Sequence, residues 1–314
     1  MRSSGRILIG ISGWRYKGWR GVFYPQKLPQ RRELEFASRK FDTIELNGSF
    51  YSLQRPDSFS QWHAETPEEF TFAVKGSRYI THMRRLREVE APLANFFAQG
   101  LLRFEDKLGP ILWQFPSNFQ FEPERLELFL ALLPKTHKQA AELARKHDER
   151  LEDCSWFQVR RDAAIRHAIE IRHESFVNEQ FVRLLRRYCV GLVVADTVAW
   201  PLLMDVTSDF VYCRLHGSKE LYASGYNADA LEIWAHRIVT WARGGEVHDG
   251  RRASERNAST RKRRDVFVYF DNDMKVRAPF DAAALRDRVT MLLADGTFGP
   301  EAVTKRVLPG AVLP

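Results

Sequence analysis

Seven residues of this chain combine proton-transfer or anion-holding chemistry with positions at or just past the ends of strand-like runs: Glu45, Lys75, Glu170, Arg172, Asp196, Arg214 and His216. Carboxylates set beside fixed cations shift one another's pKa values, which is how a concave site is tuned for general acid and base work. His216 is the leading candidate for such a role because imidazole titrates near neutrality, and Glu45, Glu170 and Asp196 are the candidate carboxylates to act with it. Arg172 and Arg214 suit a two-pronged grip on a carboxylate or phosphate, whereas Lys75 acts as a point charge. A bland alternative uses the same residue types, namely an ion-pair network that only neutralises buried charge. Glu45, Glu170, His173, Asp196 and His216 also form a candidate donor set for Zn²⁺ or Mn²⁺, whose bound hydroxide would hydrolyse a substrate. Against a metal stand three cations in the same place and the lack of any His-x-His or His-x-x-x-His spacing.

The elements that must position these groups are legible as eight strand-like runs: Ile7 to Ile11, Thr43 to Leu46, Phe70 to Lys75, Ile111 to Phe115, Ala168 to Ile171, Leu192 to Ala195, Phe210 to Leu215 and Val266 to Phe270. Between most of them lie segments with apolar residues at three- and four-residue spacing, including Ala91 to Lys107, Pro123 to Leu133, Asn178 to Tyr188, Ala228 to Ala242 and Asp281 to Leu293. Eight strands alternating with helices predict a (β/α)₈ TIM-type barrel. The stretch Thr197 to Asp209 is short for a parallel crossover, so the helix after the sixth strand is expected to be one turn or absent. A doubly wound sheet is the alternative fold, but no G-x-G-x-x-G follows the first strand.

Side chains alternate across a strand, so parity assigns faces. Glu45 and Asn47 share one face of the second strand, opposite Ile44 and Leu46, and must point into the barrel. The same rule turns Lys75, Gln114, Glu170 with Arg172, and Arg214 with His216 inward at the C-terminal rim, where Asp196, Tyr269 and the Asp271-Asn272 pair also fall. Barrels of this kind build their chemistry at that rim. Trp14, Tyr51 and Tyr226 lie in the loops that follow strands, where rings stack sugars or bases while Arg and Lys hold phosphates. Asn47, Lys75, Gln114, Arg172, Arg214, Trp14, Tyr51, Tyr226, Tyr269 and Asn272 are therefore the expected ligand-binding set.

Length and composition bound the reading. The 314 residues, 44% hydrophobic and 28% charged, fit one globular domain over residues 1–314 and exclude both a disordered chain and a small disulfide scaffold. The longest apolar stretch is interrupted by Asp196 and too short to span a bilayer, and the three widely spaced cysteines suggest neither disulfides nor a thiolate zinc site, so a cytoplasmic protein without membrane partners is expected. A formal net charge of +8 favours anionic partners. Two clusters hold much of it. Lys75, Arg78, His82, Arg84, Arg85 and Arg87 run to Glu88 without an acidic residue. Residues 249–264 carry seven basic residues against Asp249 and Glu255 and no large apolar one, which predicts a disordered loop, either a solvated insertion or a nucleic-acid-grasping arm. The charged segment 135–162 is expected as a helical excursion on the outside of the barrel.

Several motifs carry a resemblance. Gly10-x-Ser12-Gly13-Trp14, Glu45-Leu46-Asn47-Gly48-Ser49-Phe50-Tyr51, Phe72-Ala73-Val74-Lys75, Gln114-Phe115-Pro116, Glu170-Ile171-Arg172-His173, Tyr212-x-Arg214-Leu215-His216-Gly217 and Tyr269-Phe270-Asp271-Asn272 resemble, in order and over nearly the whole chain, the DUF72 or YecE-like family. The resemblance implies a TIM-type barrel and no known reaction. Asp271, where Asn is common, and the basic insertion before the last strand depart from the pattern. The expected function is binding of an anionic ligand, a phosphate-bearing small molecule or nucleic acid, at the rim, with acid-base hydrolysis as the favoured chemistry if the protein is an enzyme. The alternatives are a non-catalytic nucleic-acid or nucleotide binding module and a sugar-phosphate isomerase.

Overall fold

The protein is described by a computed structural model covering residues 4–151, 153–217, 221–222 and 224–294. The ends of the expected domain, residues 1–3 and 295–314, lie outside the described residues. Eight parallel strands, β1 (Ile7–Ser12), β2 (Thr43–Leu46), β3 (Thr71–Lys75), β4 (Leu108–Gln114), β5 (His167–Glu170), β6 (Gly191–Asp196), β7 (Phe210–Leu215) and β8 (Asp265–Phe270), pair in chain order and close, β8 on β1. This is the (β/α)₈ TIM barrel predicted from the alternation of elements.

The strand faces separate two cores. Leu8, Ala73, Leu112, Ala168, Val193, Ala195, Phe210, Tyr212, Phe267 and Tyr269 fill the interior, while Ile44, Phe72, Val74, Ile169, Val194 and Val268 face the helices. Around the barrel lie α1 (Glu33–Ser38), the single turn α2 (Gly48–Tyr51), α3 (Pro56–Glu65), α4 (Glu90–Ala98), α5 (Pro123–Leu132), α6 (His137–Ala144), α7 (Glu179–Tyr188), α8 (Ala228–Ala242) and α9 (Ala278–Ala294). Their ends follow local chemistry. Pro opens α3 and α5, where its missing N–H costs nothing. Asn178 and Asn227 cap α7 and α8 by accepting from Gln180 N and Ala230 N. The expected helix from Ala91 to Lys107 is instead α4 followed by a tighter 3₁₀ stretch, broken at Gly100, whose φ of 120° a helix does not allow.

The 135–162 excursion carries α6, which packs on α4, and Trp156 N donates to Ala98 O at the end of α4. Among the described residues no helix joins β6 to β7, in line with the short connection. The basic segment takes part of that place, which corrects the expectation of a disordered loop. Met204 N donates to Arg251 O, and the buried Asp205 carboxylate accepts from Ala253 N at 2.7 Å and Ser254 N at 3.0 Å. Arg264 is fully buried and donates to the carbonyls of Gly244, Gly245 and Ser259. Its own lack of apolar residues is made good by Leu203, Met204 and Val206, all buried, on the connection it covers.

Below the rim, Trp113 on β4 donates its Nε1–H to His167 Nδ1 on β5 at 3.1 Å, and His167 Nε2 lies 2.8 Å from Pro134 O. These partners require the neutral ring with its proton on Nε2. Burial pushes the His167 pKa from 6.5 down to about 4. The folded state thus binds fewer protons than the unfolded state between those values, and His167 costs stability as pH falls through that window. Urea unfolding across pH 6.5 to 4 is expected to show a steeper loss, by about one bound proton, in the wild type than in His167→Gln. Equal slopes would contradict this assignment.

Candidate functional site

The interior parity that fills the barrel with apolar side chains changes to polar ones at its C-terminal rim. Ser12, Glu45, Gln114, Glu170 and Arg214 stand at the inward ends of β1, β2, β4, β5 and β7, each 4% exposed or less. Arg214 is their hub. Its Nε and Nη2 reach both oxygens of Glu45 at 3.0 Å, its Nη1 reaches Glu170 Oε2 at 2.6 Å, and Nη2 also reaches Asp271 Oδ2 at 2.8 Å. Glu45 accepts in addition from Ser12 Oγ and Tyr212 OH, both at 2.6 Å. Glu170 accepts in addition from Gln114 Nε2 at 2.9 Å and Arg172 Nε at 2.8 Å. Burial raises the Glu170 and Asp271 carboxyls, but Arg214 together with Arg172 and His216 at Glu170, and with His216 and Lys75 at Asp271, outweighs it and holds both well below the usual carboxylate range.

His216 is fully buried beside this cluster, with Nδ1 3.1 Å from Asp271 Oδ2 and Nε2 3.7 Å from Glu170 Oε2, and its ring sits edge-on to Trp200 and Tyr222. The expected acid-base trio of His216, Glu45 and Glu170 is therefore brought together, but none of the three lines the rim cavity. Asp196 is not with them. Val193 and Ala195 face the interior, so Asp196 has the opposite parity and accepts from Trp234 Nε1 of α8 at 3.1 Å. Asn272 likewise turns outward and donates to Asp281 Oδ2 of α9. Tyr226 OH accepts from Gly217 N, and its ring packs on Phe270. Tyr269 lies beneath the cluster, bonded to Thr43. None of these four, expected at the site, lines the cavity, and each makes at least one hydrogen bond to the scaffold, while Asn272 Oδ1 is buried without a partner among the described residues.

Above the cluster opens a cavity of about 810 Å³. Of the expected set, Trp14, Asn47, Tyr51, Lys75, Gln114, Arg172 and Arg214 line it, together with Asp271. Arg172 stacks its guanidinium 3.9 Å from the Trp200 ring centre while holding Glu170. Asn47 donates to Ser12 Oγ, and its Oδ1 is buried without a partner among the described residues. Lys75 is nearly buried, its Nζ 4.3 Å from the centre of the Phe50 ring of α2. Burial, then the Arg214 charge, pushes its pKa from 10.5 down to about 8.

Besides Asp271, three charged residues of the wall, Arg15, Arg78 and Asp273, were outside the expected set. Burial, and after it the Asp271 charge, pushes the Asp273 carboxyl from 3.8 up to about 6. Strand alternation does not assign Asp273, which lies in the turn after β8. Gly13, at φ 84°, turns the chain after β1 and brings Arg15 and Tyr16 over the mouth. His82, also in the wall, has its pKa lowered to about 4 by burial and by Lys75. Arg84, Arg85 and Arg87 of the same basic run do not line the cavity. Arg261, Lys262 and Arg263 are exposed, but they lead into the start of β8, at the end of the barrel opposite the rim.

Among the described residues no group of three or more His, Cys, Asp or Glu is arranged to hold a metal ion. The oxygens of Glu45 and Glu170 that were expected as ligands for Zn²⁺ or Mn²⁺ face guanidinium groups instead, so the donor set does not fit a divalent cation. Among the described residues no helix is long and apolar enough to cross a membrane.

The family model described as protein of unknown function DUF72 matches residues 8–297. The UPF0759 protein YunF of Bacillus subtilis is 31% identical over 125 residues, covering 38% of this chain and 43% of that protein. The UPF0759 protein YecE of Escherichia coli is 26% identical over 136 residues, covering 38% and 47%. The matched region thus spans less than half the length of these curated relatives. A DUF72 family protein from Thermotoga maritima has a similar structure, with TM-score 0.67 and 23% identity over 91% of this chain and 99% of that one. Another from Enterococcus faecalis gives 0.62 and 15% over 92% and 99%. At these identities the likeness shows the barrel fold.

Replacing Arg214 strands its carboxylates in a low-dielectric interior. Arg214→Met is expected to lower unfolding stability at pH 7 by at least about 3 kcal/mol. The deficit should shrink as pH falls toward 4, because the released carboxylates can take up protons in the variant, whereas the wild type loses the stability that their depressed pKa values confer. Urea unfolding at both pH values measures this, and a near-neutral effect at pH 7 would contradict the hub assignment.

Proposed function

Because this chain belongs to the DUF72 family, whose description names no reaction, we propose a function from the site alone: the rim cavity binds a phosphate-bearing small molecule. The carrying observation is a charge balance. Glu45, Glu170 and Asp271 are matched by Arg214, Arg172 and Lys75, so the buried cluster is close to neutral in itself. The cavity wall then adds Arg15 and Arg78, neither paired with a carboxylate among the described residues, against Asp273. Two exposed guanidinium groups at the mouth of a cavity lined by Lys75 form a field that concentrates anions, and guanidinium is suited to the two-pronged grip that phosphate accepts.

The aromatic wall supports the rest of such a ligand. Tyr51, 69% exposed, together with Trp14 and Tyr222 offers ring faces and edges for a sugar or base. The size of the cavity favours a nucleotide or sugar phosphate over a nucleic-acid duplex. The basic run at Arg261 to Arg263, at the far end of the barrel, adds nothing to this site. If the bound molecule is also transformed, the groups to do it are Lys75 and Asp273, which face the cavity with pKa values moved toward neutrality, and not Glu45, Glu170 and His216, which do not line it. Those three act by holding Arg214 and the rim in place.

Calorimetric titration with inorganic phosphate, AMP and ribose 5-phosphate tests the reading. Binding is expected to weaken at least tenfold in Arg78→Ala and in Arg15→Ala, the effect of about 1.5 kcal/mol for one charge-assisted contact, and to weaken as salt rises. No binding of any of the three at millimolar concentration, or binding indifferent to both substitutions, would overturn it.

A further inference from the structure

Lys75 stands apart from the other charges of the cluster. It ends β3 on the inward face, its carbonyl held by Ser49 Oγ at 2.7 Å, and the next residue, Gly76, lies so close to the Trp113 ring that a Cβ would come within 2.3 Å of it. The backbone of Lys75 is thus fixed from both sides. Its Nζ makes no ion pair with a carboxylate among the described residues; it rests on the Phe50 ring and lines the cavity. The cations nearby are engaged otherwise, Arg214 with three carboxylates and Arg172 with Glu170. The site therefore contains one primary amine that is immobilised, poorly solvated and aimed at the ligand space.

We propose that Lys75 is a nucleophile that forms a Schiff base with the carbonyl carbon of a phosphate-bearing aldehyde or ketone. This substrate class rests on the reading of the cavity as a phosphate site. The neutral amine adds its lone pair to the carbonyl carbon while the carbonyl π electrons move to oxygen, and transfer of a proton from nitrogen to oxygen gives a carbinolamine. Protonation of that hydroxyl lets it leave as water, and the nitrogen lone pair closes the C=N bond. Nothing is oxidised or reduced, and the proton can pass through Asp273, which lines the same cavity. The amine must be neutral to react. Arg214 from β7 and burial favour that form, against Glu45 from β2, Glu170 from β5 and Asp271 after β8, with the balance near pH 8. His82, in the loop after β3, is neutral there.

The full chain is incubated with glyceraldehyde 3-phosphate and cyanoborohydride, which reduces the imine to a stable secondary amine, and the adduct is located by peptide mass spectrometry. Expected is labelling concentrated on Lys75 over surface lysines, rising with pH through about 8 and suppressed by inorganic phosphate. Lys75→Arg, which removes the primary amine, should lose the label. Selective labelling of Lys75 by unphosphorylated glyceraldehyde to the same extent would support the nucleophile and overturn the phosphate reading. Labelling scattered over surface lysines in the wild type, while phosphate still binds, would overturn the Schiff base and leave the anion site standing. Because the wild-type map decides, a poorly folding variant does not shelter the proposal.

Discussion

A guanidinium sealed inside a barrel must find carboxylates, and Arg214 organises the whole rim by meeting that demand. Taking a charge out of water costs several kcal/mol, and only near-complete pairing repays it. Arg214 on β7 meets Glu45 from β2, Glu170 from β5 and Asp271 after β8, and touches Ser12 of β1. One planar side chain thus ties five points of the closed sheet at one level. The depressed pKa values of Glu170 and Asp271 express the same coupling, since protonating either would leave the arginine short of charge.

This network divides the rim into two layers with different work. The lower layer is cross-linked by mutual hydrogen bonds and ion pairs and forms a floor, with Tyr269 and Tyr212 beneath it. The upper layer comes from the loops after β1, β3 and β8, and it carries the groups whose charges the floor does not consume: Arg15, Arg78 and Asp273, with Lys75 between the layers. Function in barrels commonly sits on such loops over a fixed scaffold. Here the scaffold is electrostatic as well as apolar, and it biases the pKa values of Lys75 and Asp273 toward neutrality from below.

Strand parity made much of this readable in advance. It placed Glu45, Lys75, Gln114, Glu170 and Arg214 correctly, because a two-residue period leaves no other face for them. The same rule, applied to Asp196 and Asn272, assigns both to the helix layer, where the structure has them; nearness to the strand end was a weaker guide than alternation. Parity says nothing about loops. Asp273 and Arg15 reach the cavity only because of how the chain turns after β8 and after Gly13. Nor does composition reveal that residues 249–264 have something to lie on, since the apolar cover comes from Leu203, Met204 and Val206, some fifty residues earlier.

By itself the sequence determined the barrel, its inward and outward faces and the concentration of charge at one rim, because all three follow from periodicities of two and about three and a half residues that act locally along the chain. It also carried the family, through motifs at the strand ends. Which of those charges satisfy one another and which remain for a ligand was decided only by tertiary structure. That outcome depends on distances between groups more than a hundred residues apart, such as Arg214 and Glu45, and on how completely closure of the barrel removes water from between them.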